Sequence, residues 1–584
     1  MVSEAVYPLL CLAEGSKSLS IDGSTGDGVA PALGREPREQ VLMERTEFDV
    51  VIIGGGHNAL TCAAYLGRAG VDVCVLEGRH EFGGAVYTAE HTAPGFCHNI
   101  HANFMEFLHM MPFFSDFDLP SLGARTIFPE AQAGIAFSDG RPPVILYRDD
   151  MVERTCRNFQ VYCKRDADTW RTLKTKANEL EPILAAGLYT PPPPIELTNT
   201  VPSAYQGPVA MMQMFGLDRE LAYKSIRDCI DELFETDEIR ALFYRVAVEF
   251  CGPPIEWPGN GSLFLFSCLF MPGCWRMMVG GSHRLNGAMV TACLKEGVTM
   301  REASRVKKVL LEGGRAVGVE TIDGRTYRAR QAVVSGIGVK DSFLDLIGEE
   351  HLSDYYRRRV KNFKDGPDQV LGSVAMALHE PPNYKSAARD PDINMAWYQV
   401  VGYDSARQVL DYNRAGHIDR IPELPAAGVW INSLWDKTQA PAGKHNLTGW
   451  YFFPRASALS ETEWDEVKAT YNGRFLALYE KFAPNMTPAN VIADYLHTPL
   501  DQERGMRMRE GDFGHGAMSI DQLGAHRPFA GAGRYATEIP GLYLCGSCTH
   551  PGGGVTAAPG YNAFKILCED FGYPEVWRSE SRVY

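Results

Sequence analysis

At 584 residues the chain is well beyond the ~250 to 300 residues at which one hydrophobic core stops growing, so at least two domains are expected. Its 45% hydrophobic and 22% charged residues are ordinary globular values, and a net charge of −15 leaves no basic footprint for nucleic acid and no polybasic patch for anionic lipid. Fourteen scattered cysteines point to a cytoplasmic or other reducing compartment, organellar and membrane-peripheral sites included, rather than to a disulfide framework.

Residues 1–43 read as a disordered N-terminal extension, rich in Gly, Ser, Ala and charge and without a periodic apolar face. Glu4, Glu14, Asp22 and Asp27 argue against a transit peptide, and the apolar patch Tyr7 to Leu12 lacks the basic flank of a secretion signal. Met43 would make a natural start for the folded unit. No segment reaches the ~18 consecutive apolar residues of a membrane span.

From Phe48 to Gly84 the chain reads as a complete nucleotide-binding unit. Phe48 to Ile53 is a buried parallel strand. Gly54 then permits a tight turn, Gly56 lets backbone N–H groups approach a pyrophosphate, and Ala59 takes the small third position where helix and strand pack closely. Leu60, Ala63, Ala64 and Leu66 give that helix its apolar face, Gly70 ends it, and Val71 to Leu76 forms a second strand leading to Glu77. Glu77 lies 21 residues after Gly56, near the ~20-residue offset at which a carboxylate accepts from a ribose 2′-hydroxyl. Gly83-Gly84 follows; in enzymes that bind FAD in an extended form such a pair gives the backbone room beside the phosphates, which Arg79 can reach. NAD domains have no general need of it.

Further along, Phe104 to Phe117 holds five Phe with Met105, Met110 and Met111, and Leu263 to Met271 is almost wholly apolar. Each run is read first as core and second as the wall of a greasy pocket. Pro191 to Pro194 is a stiff connector, and Leu233, Ile239, Leu242 and Phe243 suggest one helix. Val306 to Leu311, Val317 to Thr321 and Thr326 to Ala329, parted by Gly313-Gly314 and Asp323-Gly324, form a small antiparallel meander, followed by Ala332-Val333-Val334. Val370 to Leu378 and Leu447 to Phe453 are strands. Gly541 to Gly546 reads as a strand entering a turn, and Thr549 to Val555 as the opening of the last long helix. Cys545 and Cys548 have the spacing of a redox dithiol, although strand-end and turn positions explain them without one.

With Gly54-x-Gly56-x-x-Ala59, Leu76-Glu77 and Gly83-Gly84, the block Val279 to Leu285, and Thr549-His550-Pro551-Gly552 in place, the chain resembles the FAD-dependent amine oxidase and phytoene desaturase superfamily. Gly56-His57-Asn58 and the stretch from Ser433 to His445 resemble the branch of pyridine nucleotide-disulfide oxidoreductase domain-containing proteins, related to phytoene desaturases, carotenoid isomerases and retinol saturases. The resemblance covers about Phe48 to Gly572. It implies FAD, bound non-covalently, with backbone near Val306 against the adenine and the turn carrying Gly546, Gly554 and Val555 against the flavin. It also implies an α/β fold: a discontinuous Rossmann-type FAD-binding domain, a parallel sheet with a β-meander crossover, plus an inserted α+β substrate domain. The FAD domain would use residues 44–120, 276–345 and 512–572, the substrate domain 121–275 and 346–511, and residues 573–584 would be a tail.

No side chain is singled out as catalytic. His550 is a candidate by motif and His101, with His98, by position, though each is as readily structural. No metal site is expected. The leading expectation is an FAD-dependent oxidoreductase that desaturates a hydrophobic substrate at a CH–CH bond; a polyene isomerase or saturase, and a flavin-binding regulatory protein with little turnover, stay open. Peripheral membrane contact and self-association also stay open.

Overall fold

The computed structural model of the protein describes residues 45–195, 200–249, 252, 254–366 and 369–578. The extension expected over residues 1–43, with Met43, and the last six residues of the expected tail lie outside this set.

The buried, β-branched run after Phe48 forms the strand Glu47–Ile53 at the middle of a seven-stranded sheet. Val73–Leu76 and Thr326–Ser335 flank it, both parallel to it, and Thr299–Arg301 adds a further parallel strand beyond Val73–Leu76. Where the sequence suggested a short strand followed by a separate apolar triplet, Thr326–Ser335 is one strand of ten residues. Arg330 on this strand reaches Asp49 at 2.8 Å and Asp72 at 3.0 Å. Its other edge changes partner: Thr326 to Arg328 pair antiparallel with Arg315–Thr321, and Val333 to Ser335 pair parallel with Leu542–Leu544. The meander of Val306–Glu312 and Arg315–Thr321 therefore continues the parallel sheet, as the expected crossover requires.

A second seven-stranded sheet runs in the order Val491–His497, Val370–Leu378, His445–Phe453, Ala427–Trp430, Tyr398–Val401, Ala131–Ile135, Val144–Tyr147. It is antiparallel except between Tyr398–Val401 and Ala131–Ile135. Its strands come from inserts between the pieces of the first sheet, and the described residues from Thr46 onward belong to one compact unit.

Two local expectations are corrected, and the first residues of the tail are found packed. The helix expected across Leu233 to Phe243 is two, Ile226–Leu233 and Asp237–Glu249. Phe234 is extended between them, and the buried Asp166 carboxylate accepts from the N–H groups of Glu235 and Thr236 at 2.9 Å each, fixing the break. The last helix begins at Ala558 rather than near Thr549. Gly552 and Gly554 have φ of +127° and +97°, which no right-handed helix accommodates. Finally, the expected tail is packed as far as Arg578: Trp577 meets Phe564 edge-on at 5.8 Å, and the Arg578 N–H donates to Asp116 at 3.1 Å. Among the described residues no helix is long and apolar enough to cross a membrane.

Candidate functional site

A cavity of about 390 Å³ is lined by residues of both sheets, a size usual for small-molecule sites. One end is built almost entirely of backbone. The strand Glu47–Ile53 delivers the chain into a turn at Gly54, whose φ of +83° favours glycine and whose N–H donates to the Leu76 carbonyl at 2.8 Å. At Gly56 a Cβ would meet no protein atom within 4 Å and would project into open space. The helix His57–Arg68 starts directly behind it, with no side-chain cap and no acidic residue in its first turn. Its first N–H groups and positive dipole end are thus left for an anion. Glu77, at the end of the adjacent strand, accepts from the Gly55 N–H at 2.7 Å and the Arg79 N–H at 2.8 Å. Each carboxylate oxygen keeps a second lone pair for a hydroxyl. Arg305 and Val306 close this end.

The middle of the cavity joins parts of the chain almost 500 residues apart. His57 Nε2 lies 3.2 Å from the Gly554 carbonyl; a carbonyl can only accept, so this nitrogen carries the hydrogen. Burial lowers the His57 pKa to about 4, which keeps the ring neutral. Asn58 Nδ2 donates to Ser547 Oγ at 3.0 Å, leaving the buried Asn58 Oδ1 without a partner. An orphaned acceptor, an uncapped helix start and a glycine whose missing Cβ opens the wall together fit the diphosphate and ribityl portions of a dinucleotide.

The other end is an apolar chamber with acids in it. Phe104, Leu371, Trp450 and Phe513 line it. Phe104 stacks on Trp275 at 5.0 Å and leans on Trp430 and Trp450 at 5.6 and 5.4 Å, which holds the wall rigid. Glu106, 5% exposed, accepts from the Val555 N–H at 3.1 Å. Burial raises its pKa to about 7, against the pull of that bond and of its own N–H. Glu249, at the end of the helix Asp237–Glu249, is likewise raised to about 7 by burial. His101 lines the chamber too, its pKa pushed well below the ordinary value by burial and then by His497.

Of the residues expected at a cofactor, Gly54, Gly56, Glu77, Arg79, Gly84, Val306, Gly554 and Val555 line this cavity. Ala59, Gly83 and Gly546 stand behind its wall: a Cβ on Gly336 would come within 2.9 Å of the Ala59 methyl, one on Gly83 would collide with Asn286, and one on Gly546 would reach the Gly336 carbonyl at 2.8 Å. His550 is not on the lining; its Nε2 bonds to the Gly187 carbonyl at 2.9 Å. His98 is fully buried between Thr92 and Thr448. The run Leu263 to Met271 is core, with Phe266 against Phe107 at 5.4 Å and Phe270 against Phe215 at 5.7 Å, and it contributes nothing to the lining. Cys545 and Cys548 are buried, free and off the lining. Hydrogen bonding to Cys62 and burial raise the Cys545 thiol well above its ordinary pKa, and burial pushes Cys548 up to about 12. Neither would be a thiolate, so the dithiol alternative loses its nucleophile. Glu106, Glu249, Asp341 and Asp345, which the sequence did not single out, are further acids on the lining, Glu249 through its main chain since its side chain is wholly buried.

Residues 52–117 match the family described as NAD(P)-binding Rossmann-like domain. Over 568 aligned residues the chain is 30% identical to a limonene dehydrogenase component from Castellaniella defragrans, across 92% of this chain and 97% of that protein. It is 27% identical to pyridine nucleotide-disulfide oxidoreductase domain-containing protein 2 of Rattus norvegicus, across 90% and 94%. Phytoene desaturase of Cercospora nicotianae is 23% identical, across 91% of each chain. Among solved structures, a redesigned triple mutant of putrescine oxidase superposes with a TM-score of 0.58 at 14% identity, covering 90% of this chain and 98% of that one. Cyclohexylamine oxidase from Brevibacterium oxydans does so with 0.53 at 15%, covering 90% and 99%. These two share the fold.

Proposed function

On the premise that this chain belongs to the family of FAD-dependent oxidoreductases that includes limonene dehydrogenase and phytoene desaturase, we propose that it holds FAD non-covalently and dehydrogenates a hydrophobic substrate at a C–C bond. The observation that carries this reading is the continuity of the cavity, from the glycine turn and Glu77 at one end to the Phe104 and Trp450 chamber at the other. When bound, FAD supplies a hydride acceptor at N5. Gly54, Gly56, Gly84 and the start of the helix His57–Arg68 would hold its diphosphate, Glu77 its ribose, and Gly554 and Val555 its ring end.

The aromatic chamber excludes water and orients an apolar body by contact alone. Loss of hydride from one carbon must be matched by loss of a proton from the next, and Glu106 is the group suited to take it. A carboxyl with pKa about 7 is matched to neutral pH, whereas His101, held far below its ordinary range, is a weak base. The test is direct. Acid precipitation of purified protein should release FAD, and anaerobic mixing with apolar alkenes or polyenes should bleach the oxidised flavin. A flavin that stays with the precipitate, or product formed only after prior reduction, would overturn the non-covalent and the dehydrogenating parts respectively.

A further inference from the structure

The loop 512–517 is gripped from two sides. The Asp512 carboxylate accepts from the N–H groups of Gly366, Gly514 and Gly516 at 2.8, 2.9 and 2.5 Å. The wholly buried Arg527 donates from Nη2 to the carbonyls of Gly514, His515 and Gly516 at 3.0, 3.3 and 3.2 Å. Between these grips His515 is held at φ +49°, a left-handed backbone that a histidine keeps only where its surroundings impose it. The strain presents a side chain: His515 is half-buried and lines the cavity. Its ring makes no hydrogen bond among the described residues, and neither ring nitrogen is sealed away as His101 Nδ1 and His550 Nδ1 are. The loop is also tied to the start of the helix His57–Arg68. Arg527 Nη2 donates to the Ser547 carbonyl at 2.9 Å, and the Ser547 hydroxyl accepts from Asn58, the second residue of that helix. His57, the first residue, is near enough to His515 that a charge on one disfavours a charge on the other. An unpartnered imidazole is therefore held beside the helix end whose free N–H groups await an anion.

We propose that His515 is a clamp on the cofactor's diphosphate, donating to a phosphate oxygen as an imidazolium, so that FAD binding takes up a proton. The proposal rests on the FAD reading above and deepens it, adding to the main-chain cradle one side chain from outside the glycine turn. Without the ligand, burial is the first influence on His515 and holds its pKa below the ordinary value; Arg527 acts in the same direction, and Asp512 and Asp341 oppose them. The surrounding acids are already engaged. Arg509 holds Asp341 at 2.9 Å and Asp345 at 2.6 Å, Lys340 holds Asp365 at 2.7 Å, and Asp512 is taken up by its three N–H groups. His57 is neutral. The charge that decides the state of the His515 ring is then the ligand's own, two phosphates brought into a site poor in water, which favours the imidazolium.

The test is the pH dependence of binding to the apoprotein, with FAD, with ADP-ribose, which keeps the diphosphate without the flavin ring, and with riboflavin, which keeps the ring without the diphosphate. Affinity for FAD and for ADP-ribose should fall about tenfold as pH rises from about 6 to about 8, since a complex that holds an extra proton is disfavoured as protons become scarce. Riboflavin affinity should show no such fall. His515→Asn, which tolerates the left-handed backbone and carries no charge, should abolish the slope for FAD and leave its affinity near the wild-type value at high pH. Glu106→Gln, which removes the other lining group that titrates near 7, should leave the slope in place. Calorimetry of the wild type in two buffers of different ionisation enthalpy should count about half a proton taken up per FAD across this range, the uptake that a tenfold fall over two pH units requires; this reading holds even if His515→Asn folds poorly. FAD affinity that is flat with pH, or a slope that survives in His515→Asn, overturns the clamp and leaves the FAD reading standing. A slope shared by riboflavin puts the proton at the ring and overturns the diphosphate contact. Apoprotein that binds no FAD at any pH overturns the FAD reading and the clamp together.

Discussion

The two ends of the cavity are made of different materials. At the glycine turn the ligand surface is main chain: N–H groups of a helix start, a strand end, and positions where a side chain is missing. In the chamber it is side chain: Phe104, Glu106, Leu371, Trp450 and Phe513, drawn from separate stretches of sequence. A surface of main chain depends on a few residue types at fixed spacing and tolerates almost no added atoms. A surface of side chains can be rebuilt one residue at a time, which is how one nucleotide scaffold comes to serve many substrates.

The comparison breaks most readily at Gly56. Gly56→Val sets an isopropyl group in the space where no protein atom now lies within 4 Å, so FAD affinity should fall by about 100-fold or more, roughly 3 kcal/mol, with the far-ultraviolet circular dichroism unchanged. Substitutions in the chamber should leave flavin content intact. Flavin retained in full by Gly56→Val would mean that the diphosphate is held elsewhere.

The second break is at Glu106. Glu106→Gln should keep FAD yet slow substrate-driven flavin reduction by about 100-fold, the usual share of a general base. In the wild type the reduction rate should rise with pH as Glu106 ionises near 7, and in the variant that limb should be flat. Stability moves the opposite way. Glu106 is an acid whose folded pKa is raised from 4.5 to about 7, so the folded state binds its proton more tightly than the unfolded chain does. Its contribution is complete below about pH 4.5 and is lost as pH rises through 7, a difference on the order of 3 kcal/mol. Denaturant titrations of the apoprotein across that window should show the loss, and Glu106→Gln should remove this component. A rate limb that persists in the variant would assign proton transfer to another group.

The same contrast explains what could be read in advance. The strand, turn, helix, strand and acid from Phe48 to Glu77 are contiguous, and each position needs a particular residue type, so the unit was legible whole. Likewise Val370–Leu378 declared itself by composition. The meander was legible and the resemblance joined it to the parallel sheet, but that one strand, Thr326–Ser335, makes the join was not, because its partner switch depends on Leu542–Leu544, over 200 residues away. The chamber acids were hidden among core residues. Yet each left a trace: Glu106 is the lone acid between Phe104 and Phe114, and Arg245 and Glu249 are charges spaced i,i+4 in a helix whose every residue from Ala241 onward is buried. A charge that the hydrophobic pattern does not explain was the available signal. His550, read as a candidate or as structural, lies off the lining, because a motif fixes the backbone turn and not where a side chain points.

A smaller effect sharpens the backbone end. Glu77→Ala removes a hydrogen-bond acceptor for the ribose and also frees the Gly55 and Arg79 N–H groups that Glu77 now holds. FAD affinity should weaken by about tenfold, roughly 1.4 kcal/mol, in equilibrium dialysis. Because the turn itself persists, the loss should be well short of that in Gly56→Val. Equal losses would mean that Glu77 sets the turn's shape rather than grips the ribose.

The smallest effect is expected at Cys545 and Cys548, and it bears on whether electrons pass through anything but the chamber. Both thiols are buried, off the cavity lining and held above their ordinary pKa, so the double change Cys545→Ser, Cys548→Ser should keep FAD and substrate-driven bleaching at wild-type rates. Its cost should fall on stability alone. Cys545 Sγ shares a hydrogen bond with Cys62 and Cys548 Sγ donates to the Ile337 carbonyl at 3.5 Å, partners that a hydroxyl can also use, which limits the penalty of burying two hydroxyls to about 1 to 3 kcal/mol. If the variant folds and binds FAD but its flavin no longer bleaches, the electrons travel through a dithiol, and the division into a main-chain end that holds the cofactor and a side-chain end that presents the substrate would have to admit a third part behind the wall.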